Sequence, residues 1–314
     1  MTETASSGAP TIGYLGPRGT FTEQALLTQA DLAAMEHRLI DTIADVVFAT
    51  HEGDVDMGFV PIENAIEGSV NVTIDTLAFD TDLLIQREVI IPIVMNVLVR
   101  PGTTLDTVTT VLSHPVADAQ CRIWLRANLP DAHMEAARST AEAVRILAEG
   151  RDEATAAIGT ALAAEVYGLE VAAADIEDHP ENSTRFVAIA RESVPAATGH
   201  DKTSIVIFQR ADRPGSLLAI LQEFAARSIN LTKLESRPTK QTLGDYCFLI
   251  DFEGHVADEL VGDCLKNIVA KHGHVKFLGS YPAAGADAHG ARADATEAWT
   301  SAESWLADLR THLG

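Results

Sequence analysis

Short apolar runs alternate with helical patterns over residues 11–191. Residues 11–15 predict a strand, and the turn from Gly16 to Gly19 leads into a helix over 22–27. Further apolar runs predict strands at 57–60, 88–99 with a bend at Pro92, 108–112, 134–137, 156–158 and 186–190. The runs at 108–112, 134–137 and 156–158 are each followed by a helical pattern. This alternation favours an α/β fold with mainly parallel sheets.

The pattern changes after residue 191. Pro195, Gly199 and small residues predict a linker over 192–202. Beyond it, strands are predicted at 203–209, 229–235, 246–252 and 275–281, with helices at 217–226 and 260–271. The order strand, helix, strand, strand, helix, strand is the ferredoxin-like arrangement, so residues 203–282 are predicted to form a second domain.

Residues 283–314 form a third region, rich in alanine at its start. Apolar side chains recur there at helical spacing: Ala298, Ala302, Trp305, Leu306, Leu309 and Leu313. Asp294 and Glu297 have the spacing of a capping pair. The pattern predicts a tail with a short amphipathic helix, docked on its own chain or on another subunit.

Composition narrows the classes of function. The 314 residues suggest two domains, and 45 acidic against 23 basic residues give a net charge of −22. Such a charge argues against nucleic acid as a partner, and an anionic ligand must be held by local positive groups. The first ten residues carry no secretion signal and no run reaches membrane length, so we expect a cytoplasmic protein without a membrane partner.

Generic cofactor and metal motifs are absent from the sequence. Gly13, Gly16 and Gly19 are too regularly spaced for a dinucleotide fingerprint, and no Walker lysine follows them. The sequence contains no HExxH, no GxSxG and no CxxC pair. His272 and His274 flank Gly273, which is a weak metal signal against the simpler interpretation of a solvated turn.

Several longer segments carry a family resemblance. In chain order they are GPRGTFT at 16–22, VPIENAIEGSV at 60–70, SHP at 113–115 with Gln120, NSTRF at 182–186, RPGSLL at 213–218 and LESRP at 234–238. Together they resemble the prephenate dehydratases of the monofunctional bacterial type, with a C-terminal ACT regulatory domain. The resemblance covers residues 11–282; the tail has no counterpart in it.

The resemblance implies a catalytic domain over 11–191 with two α/β lobes, as in type II periplasmic binding proteins. One lobe is expected at about 11–88 and 180–191, the other at about 92–178, with the active site in the cleft between them. The implied enzyme is a carbon–oxygen lyase of L-phenylalanine biosynthesis that converts prephenate to phenylpyruvate, releasing water and carbon dioxide. Aromatisation drives this reaction, so no cofactor or metal is expected, only orientation of a dianion and proton donation.

Four residues are implied to act in catalysis. Thr184 matches the family's essential threonine and is expected to donate to the departing hydroxyl; its structural alternative is a turn or cap threonine. Arg185 offers a planar fork for a carboxylate, against the alternative of a surface ion pair. Asn64 is expected to orient a carboxylate or the ring hydroxyl. Glu63 repels a dianion unless it is protonated or structural.

Five residues are expected to contact the substrate. Thr20, Ser69 and Ser113 are placed to donate hydrogen bonds from loops or helix starts. Gln120 lies two helical turns after Ser113, which predicts that it reaches the cleft from a helix that Ser113 starts; the alternative is a solvated glutamine. Phe186 packs against the substrate ring or in the core, and core packing with one edge toward the cleft is favoured.

The second domain is implied to bind L-phenylalanine, with other aromatic amino acids as further candidates, at a subunit interface. Its expected contacts are Gly215, Ser216, Asn230, Leu231, Glu235, Ser236 and Arg237. Ser216 stands where the family usually has alanine. An interface site implies a homodimer or homotetramer.

Two alternatives remain open from the sequence. Arogenate dehydratase acts on a substrate that carries an amino group in place of the keto group. A non-catalytic two-lobed binding protein fused to an amino-acid sensor is allowed by the fold, because a fold does not by itself imply a function.

Overall fold

A computed structural model describes residues 9–150, 153–191, 193–209, 213–240, 245–285, 301–302 and 304–312. The chain forms two compact units. The first comprises residues 1–81 and 89–191, and the second comprises 82–88 and 192–314.

A six-stranded mixed sheet forms the first lobe of the first unit. Its strands are β1 (Thr11–Leu15), β2 (Glu36–Ile40), β3 (Met57–Asn64), β4 (Gly68–Ser69), β11 (Ser183–Ala190) and β5 (Leu84–Pro92), of which residues 89–92 belong to this unit. The order is β2–β1–β3–β11–β5, with β4 paired to β3. Strands β1, β2 and β3 run parallel, whereas β11 runs antiparallel to β3. The helices of this lobe are α1 (Phe21–Leu27), α2 (Ala30–Ala33), α3 (Ile43–Glu52), α4 (Asn71–Asp75) and a π-helical turn (Thr76–Asp80).

A five-stranded mixed sheet forms the second lobe. Its strands are β6 (Asn96–Val99), β7 (Thr110–Ser113), β8 (His133–Ala136), β9 (Thr155–Gly159) and β10 (Glu170–Ala173), in the order β10–β6–β9–β7–β8. Strands β7, β8 and β9 are parallel, and β6 is antiparallel to both β9 and β10. Its helices are α5 (Pro115–Gln120), α6 (Arg122–Asn128), α7 (Thr140–Ala148), α8 (Ala161–Tyr167) and a 3₁₀ turn (Leu105–Thr107).

Both sheets are mixed, so the prediction of mainly parallel sheets was wrong. The chain leaves the first lobe after β5 and returns through β11, and the strands next to these crossings run against their neighbours. Strands β2, β4 and β10 were not predicted. Glu36–Ile40 is largely exposed and has no apolar run, and the other two strands have 2 and 4 residues. Strand β3 continues through Pro61 to Asn64. Its register with β11 shifts at Ile62, because Arg185 pairs with Glu63 and the next residue, Phe186, pairs with Pro61. A bulge accommodates a proline that cannot donate to the ladder.

The second unit contains the ferredoxin-like domain, as predicted. Its elements are β12 (Asp201–Gln209), α9 (Ser216–Ala225), β13 (Leu231–Pro238), β14 (Tyr246–Glu253), α10 (Glu259–Lys271) and β15 (Gly273–Pro282). The antiparallel sheet has the order β13–β14–β12–β15. Alternate residues of β12 and β14 are buried with apolar side chains of both helices, among them Ile220, Phe224, Val261 and Ile268.

The segment Asp82–Glu88 belongs to the second unit, whereas the sequence analysis placed it in the first lobe. The buried Glu88 carboxylate accepts hydrogen bonds from Lys202 Nζ at 2.9 Å and from the Ala284 amide at 2.8 Å. At Gly279 an added Cβ would lie 2.5 Å from the Ile85 carbonyl oxygen. Ion pairing and close backbone packing therefore hold this segment on the second unit.

Part of the tail is also described. Residues 301–302 and 304–310 are helical, and the Trp305 side chain is 64% exposed, with Leu306 and Leu309 also exposed. Asp294, Glu297, Ala298 and Leu313 lie outside the described residues, so the expected capping pair stays a prediction. Within the described ranges, the structure contains no helix of the length and hydropathy that a membrane span requires.

The Glu223 carboxylate of α9 forms ion pairs that connect this helix to the end of α10. Glu223 accepts from Lys271 Nζ at 3.0 Å, from Arg227 Nη1 at 2.9 Å and from His272 Nε2 at 3.4 Å. The hydrogen bond from Lys271, with further bonds from Arg227 and His272, lowers the pKa of Glu223 from 4.5 to about 2.

We expect Glu223→Gln to lower the free energy of unfolding of this domain at pH 7 by roughly 1 kcal/mol. Because the folded-state pKa is depressed, the stabilisation is complete above pH 4.5 and is lost as pH falls through about 2. Urea unfolding at pH 7, 4 and 3 should therefore show a shrinking difference between variant and wild type. A difference that stays constant with pH would contradict the ion-pair account.

Candidate active site

Thr184 and Asn64 face each other across the β3–β11 ladder. The Asn64 side-chain oxygen accepts hydrogen bonds from the amides of Ile66 and Glu67, both at 2.9 Å. These donors leave one orientation for the carboxamide, with Nδ2 toward Thr184 Oγ1 at 2.8 Å. Nδ2 also reaches Asn182 Oδ1 at 3.0 Å and, at 3.3 Å, the Ser183 carbonyl. A Thr184 oxygen that accepts from Asn64 directs its own proton to another acceptor.

Arg185 and Glu63 form the next register pair of the same ladder. Arg185 Nη1 lies 3.5 Å from Glu63 Oε2, and the arginine side chain is buried. Successive side chains of a strand point to opposite faces of the sheet, so this pair leaves the ladder on the face opposite Thr184 and Asn64. The strand geometry thus brings the four expected catalytic residues together as two pairs on two faces.

Phe186 is a core residue. Its ring is 1% exposed and stacks on Phe59, with centroids 5.7 Å apart and an interplanar angle of 10°. This placement matches the core packing that the sequence favoured. Because the ring is almost fully buried, it leaves almost no surface for the substrate contact that was also expected.

The loop that follows β1 is organised by a buried carboxylate that the sequence analysis missed. Glu23 is 1% exposed and accepts from the Gly19 amide at 2.5 Å, Tyr14 Oη at 3.1 Å and Arg18 Nε at 3.1 Å. Burial, followed by the charge of Glu23, raises the pKa of Tyr14, which keeps its hydroxyl a donor. Thr20 Oγ1 accepts from the Glu23 amide at 3.0 Å and so caps α1. Thr20 and Glu23 have capping-box spacing, a signal that could have identified Glu23.

The second lobe holds this loop through Thr160, which the sequence analysis also missed. Thr160 is 1% exposed; its Oγ1 donates to the Gly19 carbonyl at 2.8 Å and accepts from the Ala163 amide at 2.9 Å. Gly19 has φ +82°, and an added Cβ would lie 2.7 Å from Ala163 Cβ. Only glycine permits this approach, so the loop and the start of α8 are in direct contact.

Ser113 and Ser69 occupy the ends of short strands. Ser113 is the buried last residue of β7, and its hydroxyl donates to the His114 carbonyl at 3.1 Å. The expectation that Ser113 starts the next helix was wrong. His114 is the N-cap of α5 and Pro115 its first residue, because proline is suited to the first helical position. Ser69 is half-buried in β4, opposite Glu63.

Gln120, at the end of α5, connects the second lobe to the first. Its Nε2 donates to Glu67 Oε1 at 3.2 Å, and its Oε1 accepts from Asn182 Nδ2 at 3.1 Å. The solvated glutamine considered in the sequence analysis is therefore excluded, since Gln120 is buried and bonded on both sides. Asn182 stands in the quoted NSTRF segment, but nothing local distinguished it from a turn asparagine.

The effector residues expected in the second domain lie in different places. Gly215, with φ +86°, is the N-cap of α9, and Ser216 is its first residue. Asn230 and Leu231 follow the other end of α9, where Asn230 Nδ2 donates to Glu253 Oε1 at 2.9 Å.

Strand β13 carries the three remaining effector residues. Arg237 Nη1 pairs with Glu235 Oε1 at 2.7 Å. Ser236 lies between them and points to the opposite face of the sheet.

Among the described residues, no group of three or more histidine, cysteine, aspartate or glutamate side chains is arranged to hold a metal ion. Hydroxyl and carboxamide groups instead converge where the two lobes meet. Together with the appended ferredoxin-like domain, this defines the class of a two-lobed α/β enzyme with a small regulatory-type domain.

Comparison with known families identifies the class further. The family model "Prephenate dehydratase" matches residues 12–194, and the model "ACT domain" matches residues 203–270. The chain belongs to the prephenate dehydratase family, whose members are lyases.

Similar proteins extend over nearly the whole chain. The prephenate dehydratase of Mycolicibacterium vanbaalenii is 42% identical over 315 residues, covering 96% of this chain and 98% of the relative. The structure of the Arthrobacter aurescens prephenate dehydratase in complex with L-Phe has a TM-score of 0.84 at 37% identity. The match covers 96% of this chain and 99% of that chain. A protein described as a novel type of quorum quenching acylase has a TM-score of 0.79 at 27% identity. The match covers 87% of this chain and 98% of that chain.

The loop contact of Thr160 yields a prediction. Thr160→Val keeps the shape but removes the donor to the buried Gly19 carbonyl, which costs about 1–3 kcal/mol. We expect kcat/KM for prephenate to fall about tenfold, whereas Thr160→Ser, which keeps both hydrogen bonds, should stay close to wild type.

Steady-state kinetics on purified variants test this expectation. The matched control is Ser139→Ala, which removes the cap of α7 in the same lobe without touching the loop. If Ser139→Ala lowers kcat/KM as much as Thr160→Val does, the loss reflects helix capping and not the position of the loop.

Proposed function

We propose that this chain converts prephenate to phenylpyruvate, with Thr184 as the proton donor to the departing ring hydroxyl. The observation that carries the proposal is the Asn64 Nδ2–Thr184 Oγ1 hydrogen bond of 2.8 Å, whose direction is set by the amides of Ile66 and Glu67. That bond stabilises negative charge on Oγ1 and turns the Thr184 proton outward. Membership of the prephenate dehydratase family supplies the reaction.

The chemistry asks little of the protein beyond geometry. The bond between the ring and its carboxylate breaks to release carbon dioxide, and its electron pair enters the ring. The ring C–O bond breaks, and the hydroxyl leaves as water after it takes a proton. Because the product ring is aromatic, a well-placed donor and an oriented substrate are sufficient. Thr184 is buried at the start of β11, where a hydrogen bond to a leaving oxygen is not weakened by water.

Local donors must hold the substrate dianion against a chain charge of −22. Gln120 Nε2 has two hydrogens, and its bond to Glu67 occupies one of them. We place the substrate carboxylates against this second hydrogen and the hydroxyls of Thr20, Ser69 and Ser113. The hydroxyls of Ser113 and Thr20 would turn from the carbonyls of His114 and Leu15 to donate to the substrate. Arg185 contributes positive charge from the opposite face of the ladder, where Glu63 orients it.

We expect Thr184→Ala to lower kcat roughly 10²- to 10⁴-fold, the range for loss of a general acid. Binding of prephenate should change by less than about tenfold, or 1.4 kcal/mol, since the hydroxyl acts on the leaving group. Ultraviolet detection of phenylpyruvate measures turnover, and calorimetry measures binding. Thr184→Ser is the matched control and should retain most activity.

The outcomes distinguish the role of Thr184 from the assigned reaction. Near-normal turnover by Thr184→Ala overturns the role of Thr184. Wild-type protein that binds prephenate without releasing phenylpyruvate, or that turns over only arogenate, overturns the assigned reaction.

We further propose that L-phenylalanine regulates the enzyme through the second domain. The support is the match to the ACT domain and the Arthrobacter aurescens relative crystallised with L-Phe. Helix α9 has 10 residues, which corresponds to about 15 Å. Gly215 and Asn230 lie beyond its opposite ends, too far apart for one phenylalanine to contact both within a chain. A site formed by both therefore requires a second copy, which supports a homo-oligomer with the effector at the interface.

The start of α9 suits the carboxylate of an amino acid. The first amides of a helix have no intrahelical acceptor, and the helix dipole favours an anion there. Gly215 provides the left-handed turn at φ +86°. Apart from its chain neighbours, none of the described residues has an atom within 4 Å of the position a Cβ would take. The backbone at Gly215 is thus open to a ligand.

We expect Gly215→Leu to abolish the response of turnover to phenylalanine while turnover without effector stays close to wild type. The matched control is Gly199→Leu in the same unit, which has φ +88° and equally open surroundings. Because both variants carry the same backbone strain, only a role in effector binding separates them. Phenylpyruvate assays across a phenylalanine titration provide the measurement. Unchanged sensitivity in Gly215→Leu, or equal loss in both variants, contradicts the site.

A further inference from the structure

We propose that Asn182 is a positioning residue that couples the place of the second lobe to the orientation of Thr184. The proposal rests on the proposed function, since it concerns how the donor hydroxyl is held. Asn182 is 2% exposed and does not need to touch the substrate to act. Its carboxamide lies between one residue from each lobe.

The observation is a closed ring of hydrogen bonds through four side chains and one backbone amide. Asn64 Nδ2 donates to Asn182 Oδ1 at 3.0 Å, and Asn182 Nδ2 donates to Gln120 Oε1 at 3.1 Å. Gln120 Nε2 donates to Glu67 Oε1 at 3.2 Å. The Glu67 amide donates to Asn64 Oδ1 at 2.9 Å and closes the ring. Thr184 is bonded to the ring at Asn64.

Every amide in the ring has one permitted orientation. The backbone donors of Ile66 and Glu67 require an oxygen at Asn64, so Asn64 presents its nitrogen to Asn182. Asn182 must then present its oxygen to Asn64 and its nitrogen to Gln120. Gln120 in turn presents its nitrogen to the Glu67 carboxylate, which only accepts. The orientations agree around the whole ring, and burial strengthens the bond between Asn182 and Gln120 most, since Glu67 is exposed.

The position of Asn182 in the chain explains why the hydrogen bonds of the ring depend on where the second lobe lies relative to the first. Asn182 lies between β10 and β11, where the chain returns from the second lobe to the first. Its carbonyl accepts from the Ile93 amide at 2.9 Å, on the segment between β5 and β6 that leads outward. Both crossings therefore meet at Asn182. Its side chain reaches Gln120 on α5 of the second lobe and Asn64 on β3 of the first.

A displacement of the second lobe would remove Gln120 Oε1 from Asn182. The Asn182 carboxamide would then lose the bond that keeps its oxygen toward Asn64. Asn64 would in turn hold Thr184 less firmly, because the hydrogen now bonded to Asn182 would be left with the longer 3.3 Å contact to the Ser183 carbonyl. The donor hydroxyl is thus in its reactive position when Gln120 is in place.

The test uses an isosteric exchange that reverses the orientation of the Gln120 carboxamide in the ring. Asn182→Asp places an acceptor against Gln120 Oε1, so Gln120 must turn its nitrogen to Asp and its oxygen to the Glu67 carboxylate. Two acceptors then face each other. We expect kcat for prephenate to fall roughly 10- to 100-fold, with KM changing much less. Asn128→Asp, an exposed exchange of the same type on α6, is the control and should match wild type.

Glu67→Gln should rescue Asn182→Asp, because Gln at position 67 can donate to the turned Gln120 oxygen. The double variant has a complete ring with the wild-type net charge. We expect it to recover at least tenfold in kcat over Asn182→Asp, a coupling that independent effects cannot produce. Asn182→Asp with normal kcat, or a double variant no better than Asn182→Asp, overturns the inference.

A second route does not depend on changing the buried Asn182. Gln120→Glu replaces the donor to Glu67 with a carboxylate, so two carboxylates face each other at positions 120 and 67. The same Glu67→Gln exchange then provides a donor between them. The inference requires rescue in this pair as well, and its absence counts against the ring. Wild-type turnover is the reference throughout: its absence would contradict the proposed function, whereas normal wild-type turnover with no coupling would contradict the ring alone.

Discussion

The antiparallel pairing of β3 with β11 is the interaction on which the site depends. It places Asn64 opposite Thr184 and Glu63 opposite Arg185, residues about 120 positions apart in the chain. The bulge at Ile62, next to Pro61 on β3, sets the register at this end of the ladder, and the two pairs then point to different faces because side chains alternate along a strand. A one-residue slip would exchange these faces and put the ion pair where the donor hydroxyl now lies.

The second lobe completes the site by contacting groups that the ladder has already placed. Thr160 holds the Gly19 carbonyl, and Gln120 bonds to both Asn182 and Glu67. These contacts use hydroxyls and amides, which have fixed donor and acceptor positions, so they specify one arrangement of the lobes more strictly than apolar contacts would. This suits an enzyme that must orient a dianion.

Local patterns predicted the ferredoxin-like domain element by element, and they predicted most strands of the catalytic part. They missed β2, whose residues are too exposed to form an apolar run, and they suggested mainly parallel sheets because strand direction leaves no trace in periodicity. At the site, the quoted motifs contained Thr184, Asn64 and Gln120. Glu23, Thr160 and Asn182 were missed, since a buried polar residue that bonds to a distant backbone or side chain has the sequence of an ordinary cap or turn.

The sequence by itself determined the family, the order of elements and the residues that can donate protons or bind carboxylates, because these follow from motifs and from the period of apolar positions. Tertiary structure decided which of those residues meet. It paired Thr184 with Asn64, moved Arg185 to the other face, buried Phe186 in the core and linked Asn182 to both lobes. The physical reason is that these contacts join segments far apart in the chain. Their geometry depends on register, bulges and amide orientation, which are set only when the lobes pack.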